Sequence, residues 1–81
     1  MNDTDNSLAA IRAIVAEILA LGEDEIDDNA DLFDHYQADS LNLIEIVAQV
    51  EKQFRVVLPA QELPSARTIA ALYGLLAGQR A

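Results

Sequence analysis

Apolar residues recur at three- and four-residue steps in three stretches of this chain. In the first, Leu8, Ile11, Ile14, Val15, Ile18, Leu19 and Leu21 share one helical face. Thr4, Asp5 or Ser7 can cap its start, and Gly22 is placed to end it. The second runs from about Ser40 to Phe54, with Leu43, Ile44, Ile46, Val47, Val50 and Phe54 as a broad stripe. Asp39 precedes it as an N-cap, where a carboxylate also suits the positive helix end. Pro59 enforces a stop beyond it. The third starts near residues 65–68 and carries Ile69, Leu72, Tyr73 and Leu76 before Gly78. Between Pro59 and Pro64, residues 60–63 have room for one helical turn.

The connection over residues 22–39 is expected to be a long acidic loop. It holds eight of the 14 acids: Glu23, Asp24, Glu25, Asp27, Asp28, Asp31, Asp34 and Asp39. Structureless connections beyond about 12–15 residues are uncommon in compact domains and usually carry function or packing of their own. Ile26, Leu32 and Phe33 read as anchors that pin it to the core. The pattern predicts an all-α, antiparallel-leaning helical bundle.

Composition narrows the function. At 81 residues, 52% of them hydrophobic, the chain suffices for one small globular domain, 1–81 with a folded core over about 5–78. A deep enzyme cleft with its own lid is not expected in so thin a core. There is no Cys, which excludes disulfides, Cys-ligated zinc and a thiol nucleophile from the polypeptide. The net charge of −9 opposes phosphate backbones and anionic lipid, so neither nucleic acid nor a membrane is an expected partner. The longest uncharged run, residues 68–79, is too short to span a bilayer. The polar, acidic start does not resemble a signal peptide. A cytoplasmic monomer that meets a basic protein surface is the expectation.

Three constellations invite chemistry. Asp27, Asn29 and Asp31 match the opening of an EF-hand loop, but Leu32 stands where Gly is needed and Ala38 where a bidentate Glu is needed. A solvated acidic loop with no bound metal is the better reading. His35, Asp39 and Ser40 could be drawn as a hydrolytic triad, yet no Gly-x-Ser-x-Gly elbow or Gly-rich oxyanion loop surrounds Ser40. No catalytic residue is assigned. The third is the junction Gln37-Ala38-Asp39-Ser40-Leu41, a serine opening an amphipathic helix behind an acidic loop. Capping is the plain reading of such a serine, but a helix N-terminus also suits a phosphate ester.

Asp39-Ser40-Leu41 resembles the Asp-Ser-Leu attachment motif of the acyl and peptidyl carrier proteins. The resemblance continues through Asn42 to Phe54 into Leu58-Pro59, and also covers Asp31-Leu32-Phe33 and Thr68 to Leu72. Asp-Ser-Leu alone is a weak tripeptide. With Glu45, Phe54 and Leu58-Pro59 at matching spacings it becomes specific. The resemblance implies a four-helix bundle with a short third helix near residues 60–63 and a long first loop. It implies that a separate phosphopantetheinyl transferase attaches 4′-phosphopantetheine from coenzyme A to Ser40, flanked by Asp39 and Leu41. It further implies a carrier that catalyses nothing itself and holds acyl or aminoacyl groups as thioesters for loading enzymes and for downstream synthase or tailoring enzymes.

One departure bears on the pathway. Fatty-acid carriers of this family have a strongly acidic second helix, whereas Glu45 and Glu51 here are offset by Lys52 and Arg55, with Asn42 where an acid is often found. Electrostatics steers partner choice, so polyketide or nonribosomal-peptide biosynthesis is the expected setting. A fatty-acid carrier is the alternative, and an unmodified interaction module of the same fold is the alternative of another class. Leu41, Asn42, Ile44, Glu45, Arg55 and Val56 are expected to surround the exit of the arm and meet partners. The expected core is Ile11, Ile18, Leu32, Leu43, Val47, Val50, Phe54, Leu58, Ile69 and Leu72. Part of it, around Val47, Val50 and Leu58, is a candidate shelter for an acyl chain.

Overall fold

Burial of the three apolar stripes against one another sets the architecture. A computed structural model describes the backbone of residues 3–80 and the side chains of residues 6–79; residues 1, 2 and 81 of the expected domain lie outside it. Four α-helices follow in order: α1 (Asp3–Leu19), α2 (Leu32–Tyr36), α3 (Ser40–Phe54) and α4 (Ile69–Arg80). Two 3₁₀ segments, Glu23–Glu25 and Ala60–Ser65, punctuate the connections, and there is no strand among the described residues. Helix α1 packs against both α3 and α4. The all-α bundle expected from the sequence is the fold observed.

Ile11, Val15, Leu32, Ile46, Val50, Ile69, Leu72 and Leu76 are fully buried in one cluster that also contains Val47 and Leu58. Complete burial of such side chains stabilises by about 1.5–3 kcal/mol each. The expected core is largely this one, with three corrections. Ile18, Leu43 and Phe54 are only half buried and pack against the cluster from outside, while Val15, Ile46 and Leu76 take fully buried places. On α3 the innermost line is Ile46, Val47 and Val50; Leu43 is displaced from it because it opens onto a groove described below.

Two helix ends, those of α1 and α4, depart from the glycine signals. Helix α1 ends at Leu19, before Gly22, because Ala20 takes the left-handed conformation (φ 58°). Leu21 N donates to Ala16 O (2.8 Å) and Ala20 N to Glu17 O (3.3 Å), which closes a Schellman motif. Arg55 (φ 57°) ends α3 in the same way, with Val56 N donating to Glu51 O (3.2 Å). Helix α4 continues past Gly78 to Arg80. At its start, Thr68 Oγ1 accepts from Ala71 N (3.0 Å). The expected caps of α1 do not apply, since Thr4, Asp5 and Ser7 fall inside the helix; the side chains of Thr4 and Asp5 lie outside the described residues, and Ser7 is buried.

The long acidic first connection carries local structure of its own, and its expected anchors Ile26, Leu32 and Phe33 reach the core. It holds the Glu23–Glu25 turn and α2, whose five residues are too few to show a period. Polar contacts fix it. Arg12 of α1 binds both carboxylate oxygens of Asp28, and the guanidinium holds that carboxyl below its ordinary pKa. The backbone of Asp28 accepts from Ala70 N (3.0 Å) and that of Arg67 accepts from Leu32 N (2.7 Å), tying the connection to the start of α4. Tyr36 Oη accepts from Asp27 N (2.7 Å) and donates to Glu25 O (3.3 Å). The expected short helix between the prolines is the 3₁₀ segment, which runs through Pro64 to Ser65.

Candidate functional site

The site is built on the open end of α3. Asp39 is the N-cap: its Oδ1 accepts from Asn42 N (2.8 Å), and Asn42 Oδ1 accepts from Asp39 N (3.0 Å), a reciprocal capping box. Ser40 is therefore the first helical residue rather than the cap. Its side chain is exposed, and its hydroxyl makes no hydrogen bond among the described residues. The chain's other two serines are committed, since Ser7 is buried and Ser65 Oγ donates to Glu62 O (2.9 Å). The segment entering the site is also fixed. Gln37 adopts the left-handed conformation (φ 60°), and the buried Ala38 donates its N–H to Leu32 O (3.1 Å).

A groove of about 560 Å³ opens beside Ser40. One wall is a single face of α3, with Ser40, Leu43, Ile44, Val47, Ala48 and Glu51 at steps of three and four. At 1.5 Å per residue this face is about 16 Å long. The opposite wall comes from Ala60, Leu63 and Pro64 of the 3₁₀ segment, with Phe33 of α2 and Arg67. Of the shelter residues expected, Val47 alone lines it; Val50 and Leu58 are turned into the core.

Two charged side chains line this otherwise apolar space. Glu51 Oε2 accepts from Leu58 N (2.8 Å), which fixes the turn leading to the 3₁₀ wall. Arg67 Nε and Nη2 bind Asp31 Oδ2 and Oδ1 (2.6 and 3.2 Å), and its guanidinium lies 4.6 Å from the centre of the Phe33 ring. Asp31 in turn caps α2 by accepting from Phe33 N and Asp34 N. The Arg67 guanidinium, assisted by these two backbone N–H groups, holds the Asp31 carboxyl down at about 2.

Among the expected contact residues, Leu41 and Ile44 are exposed (63% each), Glu45 is exposed beside them, and Asn42 is half buried in its cap. Arg55 and Val56 do not surround Ser40. They lie at the other end of α3, about 20 Å away by helical rise. There Val56 packs on the core and Val57 is the exposed residue. Glu51 is drawn to Leu58, so the fully exposed charges along α3 and its exit are Glu45, Lys52 and Arg55.

The other constellations are not assembled. Asp27 Oδ1 accepts from Asn29 N (2.9 Å), and Asp31 is committed to Arg67 and α2. His35 is exposed and meets the Tyr36 ring edge-on at 4.6 Å, while the Asp39 carboxylate serves Asn42. Sequence reading missed Phe33, Leu63, Pro64 and Arg67 as groove residues. The three-and-four spacing from Ser40 was a signal for the α3 wall, but nothing local marked the wall across from it. Among the described residues no helix is long and apolar enough to cross a membrane, and no group of three or more acidic, His or Cys side chains is placed to hold a metal.

The family model for the phosphopantetheine attachment site matches residues 9–76. The chain is similar to polyketide-8 synthase acyl carrier protein 2 of Streptomyces avermitilis, 36% identical over 82% of this chain and 76% of the relative. It is also similar to the anthracycline acyl carrier proteins DpsG of Streptomyces peucetius and DauA of Streptomyces sp. (strain C5), each 41% identical over 76% of both chains. An all-α bundle with an exposed serine at a helix start, matched over this span, belongs to the family of acyl carrier proteins that bear a phosphopantetheine attachment site.

Proposed function

We propose that this chain carries polyketide intermediates as thioesters on a 4′-phosphopantetheine arm attached to Ser40. The observation that carries the residue assignment is the state of the hydroxyl. Ser40 alone among the three serines combines exposure with an unengaged Oγ, because Asp39 has taken over the cap. The site fits a phosphate ester, since the dipole and open N–H groups of a helix start favour negative charge. When attached, the arm supplies a thiol that this Cys-free chain lacks. The polypeptide presents and orients: α3 fixes where the arm leaves, and the groove offers an apolar surface along which a carried chain can lie. Tethering then converts successive encounters into effectively intramolecular ones. The chain itself catalyses no step.

The polyketide setting rests on the names of the relatives and on the weakly charged α3 face. Partners are a phosphopantetheinyl transferase and synthase enzymes that cover Ser40, Leu41, Ile44 and Glu45. A cytoplasmic monomer suits these exchanges. Treatment of the protein with coenzyme A, magnesium and a transferase should add the mass of one arm to the wild type and none to Ser40→Ala. A wild type that gains no mass would instead support an unmodified interaction module.

A further inference from the structure

Most of the groove wall is apolar, so its one guanidinium needs an explanation. Arg67 uses Nε and Nη2 on Asp31, and Nη1 makes no hydrogen bond among the described residues. The side chain is 42% exposed, so these N–H donors are hydrated while the groove is open. A chain lying against Arg67 displaces that water. An alkyl chain returns no hydrogen bond for it, whereas a carbonyl oxygen does, and bonds from charged donors are the strong ones.

The surrounding charges refine the choice. Asp31 binds Arg67, Asp34 lies 3.7 Å from its Nη2, and Glu51 lines the same groove. Three acids against one base make the region repel a carboxylate. We propose that Arg67 is the chain-selecting residue of the groove, favouring neutral, carbonyl-bearing chains over alkyl chains and over chains that end in a carboxylate. The inference rests on the attachment of the arm at Ser40.

Three chains of matched length separate the alternatives: acetoacetyl, butyryl and succinyl, each loaded on the full chain from its coenzyme A thioester by a transferase. Methyl resonances of Leu43, Val47 and Leu63 report entry into the groove, and the side-chain N–H resonances of Arg67 report pairing. Acetoacetyl should move both sets, with groove occupancy about tenfold above butyryl and succinyl weakest. Hydrophobicity alone orders butyryl first, so a butyryl effect equal to or above the acetoacetyl effect overturns the proposal. In Arg67→Met, which keeps a side chain of similar length but has no N–H donor, the acetoacetyl advantage should vanish. Its persistence there would equally overturn the assignment, and the wild-type comparison decides alone should that variant not fold. Failure of Ser40 to accept any arm would defeat the carrier reading itself, while loading with the reverse order defeats the role of Arg67 only.

Discussion

The three long helices and the connection over residues 20–39 hold their shape by different means. Helices α1, α3 and α4 bury Ile11, Val15, Ile46, Val50, Ile69, Leu72 and Leu76 completely against one another. The connection contributes Leu32 and Ala38 to that core, packs Ile26, Phe33 and Tyr36 against it, and is further fixed by directional polar contacts: Arg12 on Asp28, Arg67 on Asp31, and Tyr36 on Asp27 and Glu25. Burial scales with area and tolerates approximate fit, whereas a charged hydrogen bond demands its partner and weakens when the partner loses charge. The molecule thus joins a core held by burial to a region that adds polar contacts to its apolar anchors, and Ser40 lies at their junction.

The largest effect should come from opening the core. Ile46→Ala removes a fully buried side chain and should cost about 2–5 kcal/mol, read as a lowered midpoint in urea with loss of all helical signal together. Capping sits between the two regions. Asp39→Ala deprives Asn42 N of its acceptor and should cost about 0.5–2 kcal/mol, whereas Ser40→Ala should stay within about 0.5 kcal/mol of wild type. Equal costs for the two would mean that Ser40 shares the capping role.

A smaller change, of opposite sign, is expected at Ala20. Its left-handed backbone is unfavourable for a residue with a Cβ, so Ala20→Gly should raise stability by about 0.5–1 kcal/mol in the same urea titration. The polar region should respond to acid without the core. Asp31 has its carboxyl lowered from 3.8 to about 2, so its bond to Arg67 is intact above about pH 4 and is lost as pH falls through about 2. Amide exchange in α2 and the Phe33 ring resonances should change over that window while the buried methyls of Leu72 and Leu76 do not. Asp31→Asn should abolish the transition at this site.

The same contrast explains what could be read in advance. Periodic apolar residues announced α1, α3 and α4, and Asp39 before an amphipathic run announced the cap. The end of α1 was misplaced because Ala20, which is not a Gly, takes the left-handed position, whereas α3 runs from Ser40 to Phe54 as its apolar stripe predicts. Helix α2 escaped notice since five residues carry no period, although Asp31 before Leu32-Phe33 is a legible N-cap. On the site side, the Ser40 junction and exposed Leu41 were visible in one local stretch. The groove was not, because Phe33, Leu63 and Arg67 come together only through contacts between segments far apart in the chain.

Attachment at Ser40 is the central claim, and fragmentation of the intact loaded protein in a mass spectrometer tests it most directly. After treatment with coenzyme A and a transferase, the added mass should appear only on fragments that contain residue 40. Fragments bearing Ser7 or Ser65 without Ser40 should keep their unmodified masses. An added mass on either of those serines, or an unmodified Ser40 in a protein that has gained the arm, would contradict the account.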